Sequence, residues 1–198
     1  MYLLVSKLSD TENVYLSVFE RKEAFLQGWF LRFYLIQTRF RACILKSKRR
    51  LVSRYYLIKL VKHLGLNSDF EYCFSHSRRY SAAVLSASQE KFSVDIEPVE
   101  RSLSGALRAK VRTLYPDLLV PDIFIIMILE SLVKLSVFDR PFNLSSGLSE
   151  HRLAEIKSLK KNIFEVYFLD VKVFSKIYRF DDLYICITRE KNDFRPCL

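Results

Sequence analysis

Apolar side chains follow a helical spacing between residues 42 and 63, where Leu45, Leu51, Leu57 and Val61 recur and the pattern stops at Gly65. Such a spacing puts apolar side chains on one face of an α-helix, and glycine commonly follows the last helical residue. Lysine and arginine occupy many of the positions in between. The segment is therefore predicted to form a basic amphipathic helix.

Short runs rich in β-branched and aromatic residues, bounded by polar turns, predict strands elsewhere in the chain. The first half has such runs at residues 1–9, 71–75, 80–85 and 91–96. The last three of these are predicted to be neighbouring strands. The second half has runs that predict a closing meander, at residues 163–169, 171–179 and 183–188.

Two further helices are predicted between these groups of strands. A charged helix is expected over residues 101–114 and a strongly apolar helix over residues 122–137. Pro116 and Pro121 separate them, because proline interrupts a helix. Each half of the chain then has helices followed by about three strands, which indicates an α+β fold.

The charge balance bears on the class of partner. The 198 residues include 32 Lys and Arg against 22 Asp and Glu, a formal net charge of +10. Such an excess attracts phosphate-bearing or acidic partners through long-range electrostatics. Nucleic acid, an anionic membrane, a phosphorylated cofactor and an acidic protein all stay open on this ground alone.

Cysteine spacing and hydropathy bear on the compartment. The cysteines form no C-x-x-C pair, so the sequence indicates neither a zinc motif nor a dense disulfide framework, and a reducing cytoplasm is expected. The longest apolar run, residues 123–129, is too short to cross a bilayer, and the N-terminus lacks a signal-peptide pattern. No membrane association is expected.

Asp95 and Glu97 form the first candidate site. On a strand that stays extended through Glu97, residues two apart project from the same face, so the two carboxylates would converge. Mg²⁺ favours one or two carboxylates, with water and substrate phosphates in its remaining positions. Acidic residues next to Pro98 can also simply end a strand, and the pentapeptide alone leaves both interpretations open.

Glu130 and Lys134 form the second candidate site. Their spacing of four puts both on one helical face, where an ordinary Glu–Lys pair adds about 0.2–0.5 kcal/mol to helix stability. The pair interrupts an otherwise apolar helix, where a plain surface pair is less expected. A site role and an ordinary helix pair both stay open.

The third candidate is a cluster of donors at residues 74–79, which includes Ser75 and His76. Hydroxyl, imidazole and guanidinium groups suit phosphate oxygens. A phosphate-binding turn and a structural histidine are equally expected here. The upstream basic helix, with Arg49 and Arg54, would add anion contacts, although a charge-rich helix is most often a solvated face.

The order and separation of these candidates resemble the 4′-phosphopantetheinyl transferase family, in particular the larger pseudo-dimeric type that activates surfactin-like synthetases. The segments that carry the resemblance are KRRLVSR at 48–54, FSHS at 74–77 with YSAAVLS at 80–86, FSVDIE at 92–97, ESLVK at 130–134 and LYICI at 183–187. They are similar to the family's basic segment, its S-x-S-H-S and A-x-A-x-S strand pair, its V-G-V-D-I-E strand, its K-E-[AS]-x-x-K helix and its closing strand. The match covers most of the chain from about Lys46 onward.

The resemblance implies a fold and a reaction. The fold would be an α+β pseudo-dimer of two similar subdomains, residues 1–97 and 98–198, each with helices packed on a small, mainly antiparallel sheet. Coenzyme A would lie in the cleft between them. The protein, a cytoplasmic monomer, would transfer the 4′-phosphopantetheine group of coenzyme A to a serine of an apo acyl or peptidyl carrier protein and release adenosine 3′,5′-bisphosphate.

The family motifs also imply roles for individual residues. Asp95, Glu97 and Glu130 would hold Mg²⁺ against the pyrophosphate of coenzyme A, and Glu130 would also be the base that takes the serine proton. Lys134 would stabilise the pyrophosphate oxygens. The residues expected to bind the nucleotide phosphates are Ser75, His76, Arg49 and Arg54.

Several positions depart from the family pattern, namely Ser53 and Ser93 in place of Gly, Ile126 in place of Trp and Leu129 in place of Lys. A Lys at position 129 would lie about 100° around the helix from Glu130 and is expected to reach the phosphates. The sequence therefore predicts that Leu129 removes a cation and that Arg78 or Arg79 compensates for it. On that hypothesis Arg78→Ala or Arg79→Ala slows transfer, and Leu129→Lys partly rescues whichever variant is slow.

Two other classes of function stay open. A nucleic-acid-binding protein would explain the net charge of +10, but it would not explain three acidic residues at these spacings, and aromatic-interleaved RNA motifs are not evident, so nucleic acid is not the expected partner. A degenerate protein with the transferase fold would bind coenzyme A or a protein partner without transfer.

Overall fold

The structure, a computed structural model, describes residues 2–8, 14–20, 48–65, 70–77, 80–86, 91–135, 154–168 and 170–190. Within these ranges the chain forms two antiparallel sheets and three helices. The predicted α+β class is confirmed.

The first sheet contains the four strands from the first half of the chain, in the order β1-β2-β4-β3. Each neighbouring pair is antiparallel. The strands predicted at residues 1–9, 71–75 and 80–85 are confirmed, whereas β2 was not predicted. The bounds are β1 (Tyr2–Lys7), β2 (Val14–Glu20), β3 (Glu71–Ser77) and β4 (Tyr80–Ser86).

Helix α1 (Lys48–His63) covers one face of this sheet. Its Leu57 and Leu60 are fully buried and pack in one cluster with Phe19 of β2 and Leu85 of β4. This burial of apolar side chains is the main contribution that anchors a helix to a sheet. The predicted helix is confirmed from Lys48 onward, and residues 42–47 lie outside the described ranges.

The second sheet has the order β5-β9-β8-β7-β6, again with antiparallel neighbours. The predicted closing meander is confirmed as β7, β8 and β9. The strand predicted at 91–96 is a neighbour of the strands at 71–85, since β5 lies against β3 and β4, but its backbone pairing is with β9 of the second sheet. The bounds are β5 (Phe92–Pro98), β6 (Glu155–Lys160), β7 (Ile163–Phe168), β8 (Val171–Phe180) and β9 (Leu183–Arg189).

Two helices connect β5 to the rest of the second sheet. Helix α2 (Gly105–Leu114) begins four residues later than predicted, because the Ser104 side chain accepts a hydrogen bond from Leu107 N and caps the helix there. Helix α3 (Asp122–Leu135) is buried along residues 123–129 and packs against β5 and β9. Its position on β5 brings Glu130 and Lys134 close to Asp95 and Glu97.

The predicted division of the chain after residue 97 falls at the end of β5 and stays a prediction. That strand belongs by its pairing to the second sheet, although β3 of the first sheet lies directly against it.

Among the described residues, no helix is both long enough and apolar enough to span a bilayer.

Candidate metal and phosphate site

Strands β3 and β5 meet through matching polar side chains. Ser75 Oγ donates a hydrogen bond to Asp95 Oδ1 over 2.8 Å, and Ser77 Oγ lies 3.4 Å from Glu97 Oε2. Ile96 N also donates to Ser75 Oγ over 3.2 Å. The facing residues are thus two positions apart on both strands, as expected for extended chains. Strand β5 stays extended through Glu97, so the two carboxylates project from the same face and converge.

Helix α3 adds a third carboxylate to this pair. One oxygen from each of Asp95, Glu97 and Glu130 lies within 4.8 Å of the others. The side chains of Asp95 and Glu97 are buried, with 2% and 7% of each residue exposed, and Glu130 is partly buried. Three hard oxygen ligands at this separation are a donor set that suits Mg²⁺.

The second carboxylate oxygen of Asp95, Oδ2, indicates whether these residues can hold a cation. This oxygen is buried and has no hydrogen-bond partner among the described residues. A buried, unsatisfied carboxylate oxygen costs free energy, which a bound cation would recover. Since this oxygen belongs to the three-carboxylate cluster, the residues present fit a divalent cation.

Lys134 lies against the other oxygen of the same carboxylate. Its Nζ is 2.5 Å from Asp95 Oδ1 and also donates to Ser75 Oγ over 2.9 Å and to Val94 O over 3.0 Å. The predicted proximity of Glu130 and Lys134 to one site is thus realised, but the ion pair of Lys134 is with Asp95. These contacts do not support the interpretation of Glu130 and Lys134 as an ordinary helix pair.

Arg101 is a site residue that the sequence analysis missed. Its guanidinium forms an ion pair with Glu97, four positions earlier in the chain. The two residues are not in a helix, since they flank the turn that ends β5, in which Arg101 N donates to Pro98 O over 3.0 Å. The spacing of four between Glu97 and Arg101 is visible in the sequence, but the two side chains meet only because the chain turns at Pro98.

Glu130 has an altered acidity in this setting. Burial raises the pKa of its carboxyl group above the ordinary value of 4.5, and the nearby negative charge of Asp95 raises the pKa further, while Lys134 and Arg101 act in the opposite direction. A carboxylate with a raised pKa is a stronger proton acceptor than an ordinary glutamate.

His76 is fixed by two buried hydroxyl groups. Its Nδ1 lies 2.8 Å from Ser81 Oγ and 3.2 Å from Ser53 Oγ, and the two hydroxyls are 3.0 Å apart. The ring stacks on Phe74, with centroids 5.9 Å apart, and Arg54 lies over Phe74 on the side of α1. Ser53 thus helps to orient the imidazole.

These side chains open onto one cleft of about 410 Å³. The cleft brings together all three candidate sites of the sequence analysis. Its lining residues are Arg54, Phe74, Ser75, His76, Asp95, Glu97, Glu130 and Lys134. Of the other predicted site residues, Arg49 lies in α1 but its side chain is outside the described part of the structure, as are Arg78 and Arg79.

Leu129 does not face this cleft. The side chain is fully buried, with 0% exposed, and belongs to the core between α3 and the second sheet together with Ile126. The expectation that a lysine at this position would reach the phosphates is therefore wrong, because its amine would enter apolar surroundings. The apolar residue at position 129 is explained by packing.

No known protein family model matches this chain, and no curated protein matches its sequence. The functional argument therefore starts from the geometry of the cleft.

Proposed function

We propose that this chain is a Mg²⁺-dependent 4′-phosphopantetheinyl transferase that moves the phosphopantetheine arm of coenzyme A onto a serine of an apo acyl or peptidyl carrier protein. The observation that carries the proposal is the convergence of Asp95, Glu97 and Glu130 in a cleft that also contains Lys134 and His76. Carboxylates for a metal and cations for phosphates are what transfer of a phosphorylated group requires.

The carboxylates and Lys134 have different roles at the pyrophosphate. Asp95, Glu97 and Glu130 hold the Mg²⁺, which when bound neutralises charge on the phosphate oxygens. Lys134 lies beside Asp95 and can turn its ammonium from the carboxylate towards those oxygens. Its contact with the substrate then grows stronger as charge moves onto the leaving group.

Glu130 is the proposed base. The carrier-protein serine loses its proton to the Glu130 carboxylate, and the serine oxygen forms a bond to the β-phosphorus of coenzyme A. The bond from that phosphorus to the oxygen of the α-phosphate breaks, and adenosine 3′,5′-bisphosphate leaves with the electron pair. The position of the partly buried Glu130 carboxylate supports this role, since it lies within 4.8 Å of Asp95 and Glu97, beside the proposed metal site.

The nucleotide end of coenzyme A is assigned to the opposite wall of the cleft. His76, oriented by Ser53 and Ser81, and Arg54, which lies over Phe74, are placed to contact phosphate oxygens. The net charge of +10 favours the encounter with a phosphate-bearing substrate and an acidic protein partner.

We extend the proposal to a pseudo-dimeric arrangement. One sheet carries α1 and the other carries α2 and α3, and the candidate site takes Ser75 and His76 from the first sheet and Asp95 and Glu97 from the second. A site between two such units is the arrangement that the family resemblance implies. The monomeric state and the cytoplasmic location stay predictions.

The proposal is tested by the intact mass of a carrier protein. The chain is incubated with an apo carrier protein, coenzyme A and MgCl₂, and the expected result is addition of one phosphopantetheine group, absent when the carrier serine is replaced by alanine. Glu130→Gln should abolish the addition, and the matched control Glu155→Gln, on the exposed edge strand β6, should not.

Because the partner is not known, the assay is run with a panel of carrier proteins from fatty acid, polyketide and peptide synthesis. No addition to any of them would refute the proposed activity. Binding of coenzyme A without transfer would instead support the degenerate binding protein.

A further inference from the structure

The three carboxylates of the cluster are already partly neutralised by the chain itself. Lys134 pairs with Asp95, and Arg101 pairs with Glu97. Each of the two buried metal-site carboxylates on β5 therefore carries one internal cation. Asp95 Oδ2 nevertheless remains buried without a donor among the described residues, which indicates that the cluster is built for a further cation.

The position of Arg101 allows its side chain to change partner. Its backbone is anchored, because Val99 N donates to Asp182 O over 2.8 Å and Arg101 N donates to Pro98 O over 3.0 Å. The side chain is 34% exposed and borders the turn that leads to α2. A rotation about side-chain bonds therefore moves the guanidinium without any change in the backbone.

A divalent cation and Arg101 compete for the same carboxylate. A cation bound by Glu97 neutralises its charge and repels the guanidinium at short range. The released guanidinium presents a planar fork of donors, which matches phosphate oxygens better than a lysine ammonium does. With the ion bound, three carboxylates, two cations and the ion together carry net positive charge, which suits a diphosphate.

We propose that Arg101, next to this cleft, is a second cation for the diphosphate of the substrate beside Lys134, which Glu97 holds until a divalent cation displaces it and frees it to bind that diphosphate. The proposal rests on the proposed function and goes beyond it by assigning a role to a residue outside the family motifs. It also supplies the cation that the sequence analysis sought at Arg78 or Arg79.

A reciprocal dependence follows from this exchange. If the ion frees Arg101 for the diphosphate, then the ion raises the affinity for the diphosphate, and the diphosphate raises the affinity for the ion by the same factor. Loss of the guanidinium acts in opposite directions on the two ligands. The ion binds more tightly because its competitor is gone, and the diphosphate binds more weakly because its partner is gone.

The experiment titrates the full chain with Mn²⁺ alone, and then with coenzyme A and with inorganic pyrophosphate at saturating Mn²⁺, by calorimetry. Arg101→Gln should tighten Mn²⁺ binding several-fold and weaken binding of both phosphate ligands at least about tenfold, since a charge-assisted contact is lost. Arg101→Lys should recover part of the phosphate affinity. Arg108→Gln, which removes an exposed arginine paired with Asp122, is the matched control and should change neither ligand.

If Arg101→Gln changes the affinities for Mn²⁺ and for the phosphate ligands in the same direction, or changes neither, the proposed role of Arg101 is wrong. It is also wrong if the wild-type chain binds no Mn²⁺. The titrations use no carrier protein, so they separate the two proposals. Opposite shifts without any transfer activity would refute only the transferase. Transfer activity without opposite shifts would refute only the exchange at Arg101.

Discussion

The ion pair between Asp95 and Lys134 should stabilise the metal-free protein measurably. Removing one partner of a buried pair costs about 3–5 kcal/mol, but the Lys134 side chain is 26% exposed and can regain water, and the variant also loses the repulsion between Asp95 and Glu130, so we expect at most about 2–3 kcal/mol for Asp95→Asn. Asparagine keeps the volume and an oxygen for Ser75. The measured cost therefore reports the charge rather than the space that the side chain fills.

A double-mutant cycle isolates the pair. Asp95→Asn, Lys134→Met and the double variant are unfolded in urea at neutral pH with EDTA, and the coupling free energy should be on the order of 1.5–2 kcal/mol. In a chain of this size the Asp95→Asn cost corresponds to a fall in melting temperature of roughly 4–12 °C. EDTA matters because a bound ion would add its own stabilisation.

An exposed pair on β6 serves as the control cycle. Glu155 and Lys157 are 2.9 Å apart, and both side chains are more than half exposed. Their coupling free energy should be far smaller than that of Asp95 and Lys134, because water screens the pair and the side chains lose entropy on pairing. A coupling between Asp95 and Lys134 no larger than this control would refute the reasoning from burial.

Further predictions concern pH, the core and the nucleotide wall. Because burial and Asp95 raise the pKa of Glu130 from 4.5, the stability that it contributes is present at low pH and is lost as the pH rises through the raised value. In EDTA, Glu130→Gln should therefore gain stability relative to wild type between about pH 4.5 and neutrality, and parallel urea-unfolding profiles would contradict this. Leu129→Lys should destabilise the protein by on the order of 3–5 kcal/mol without accelerating transfer, whereas Leu129→Met should cost less than about 1.5 kcal/mol; faster transfer by the lysine variant would show that position 129 faces the cleft after all. His76→Ala should raise the KM for coenzyme A more than the KM for the carrier protein, and the opposite order in steady-state kinetics would assign this wall to the carrier.

Local periodicity explains which parts of the site were predictable. A period of two on β5 predicts that Asp95 and Glu97 share a face, and a spacing of four on α3 predicts that Glu130 and Lys134 do. These relations depend on a few neighbouring residues and hold whatever the strand or helix packs against. Four of the cleft residues therefore follow from the sequence once the type of each element is known.

Long-range pairing explains the parts that were missed. The pattern of β5 fixes its faces but not its partner strand, and pairing with β9 depends on residues about ninety positions away. Helix α3 is buried along residues 123–129, so the apolar pattern of that stretch does not show which of its residues lie away from the cleft, and the expectation for Leu129 is wrong for this reason. The contact of Arg101 with Glu97 needs the turn at Pro98, which propensity alone does not determine.

The strand order of the second sheet has a consequence for biosynthesis. Strand β9 lies between β5 and β8, although it is the last described strand to be synthesised. Roughly ninety residues separate the end of β5 from the end of β9, so at about 5–20 residues per second the acidic strand waits on the order of 5–20 s on the ribosome for its pairing partner. A nascent chain that stalls after Leu135 and before Leu183 therefore carries every proposed metal ligand but lacks the strand that holds Asp95 and Glu97 in the sheet.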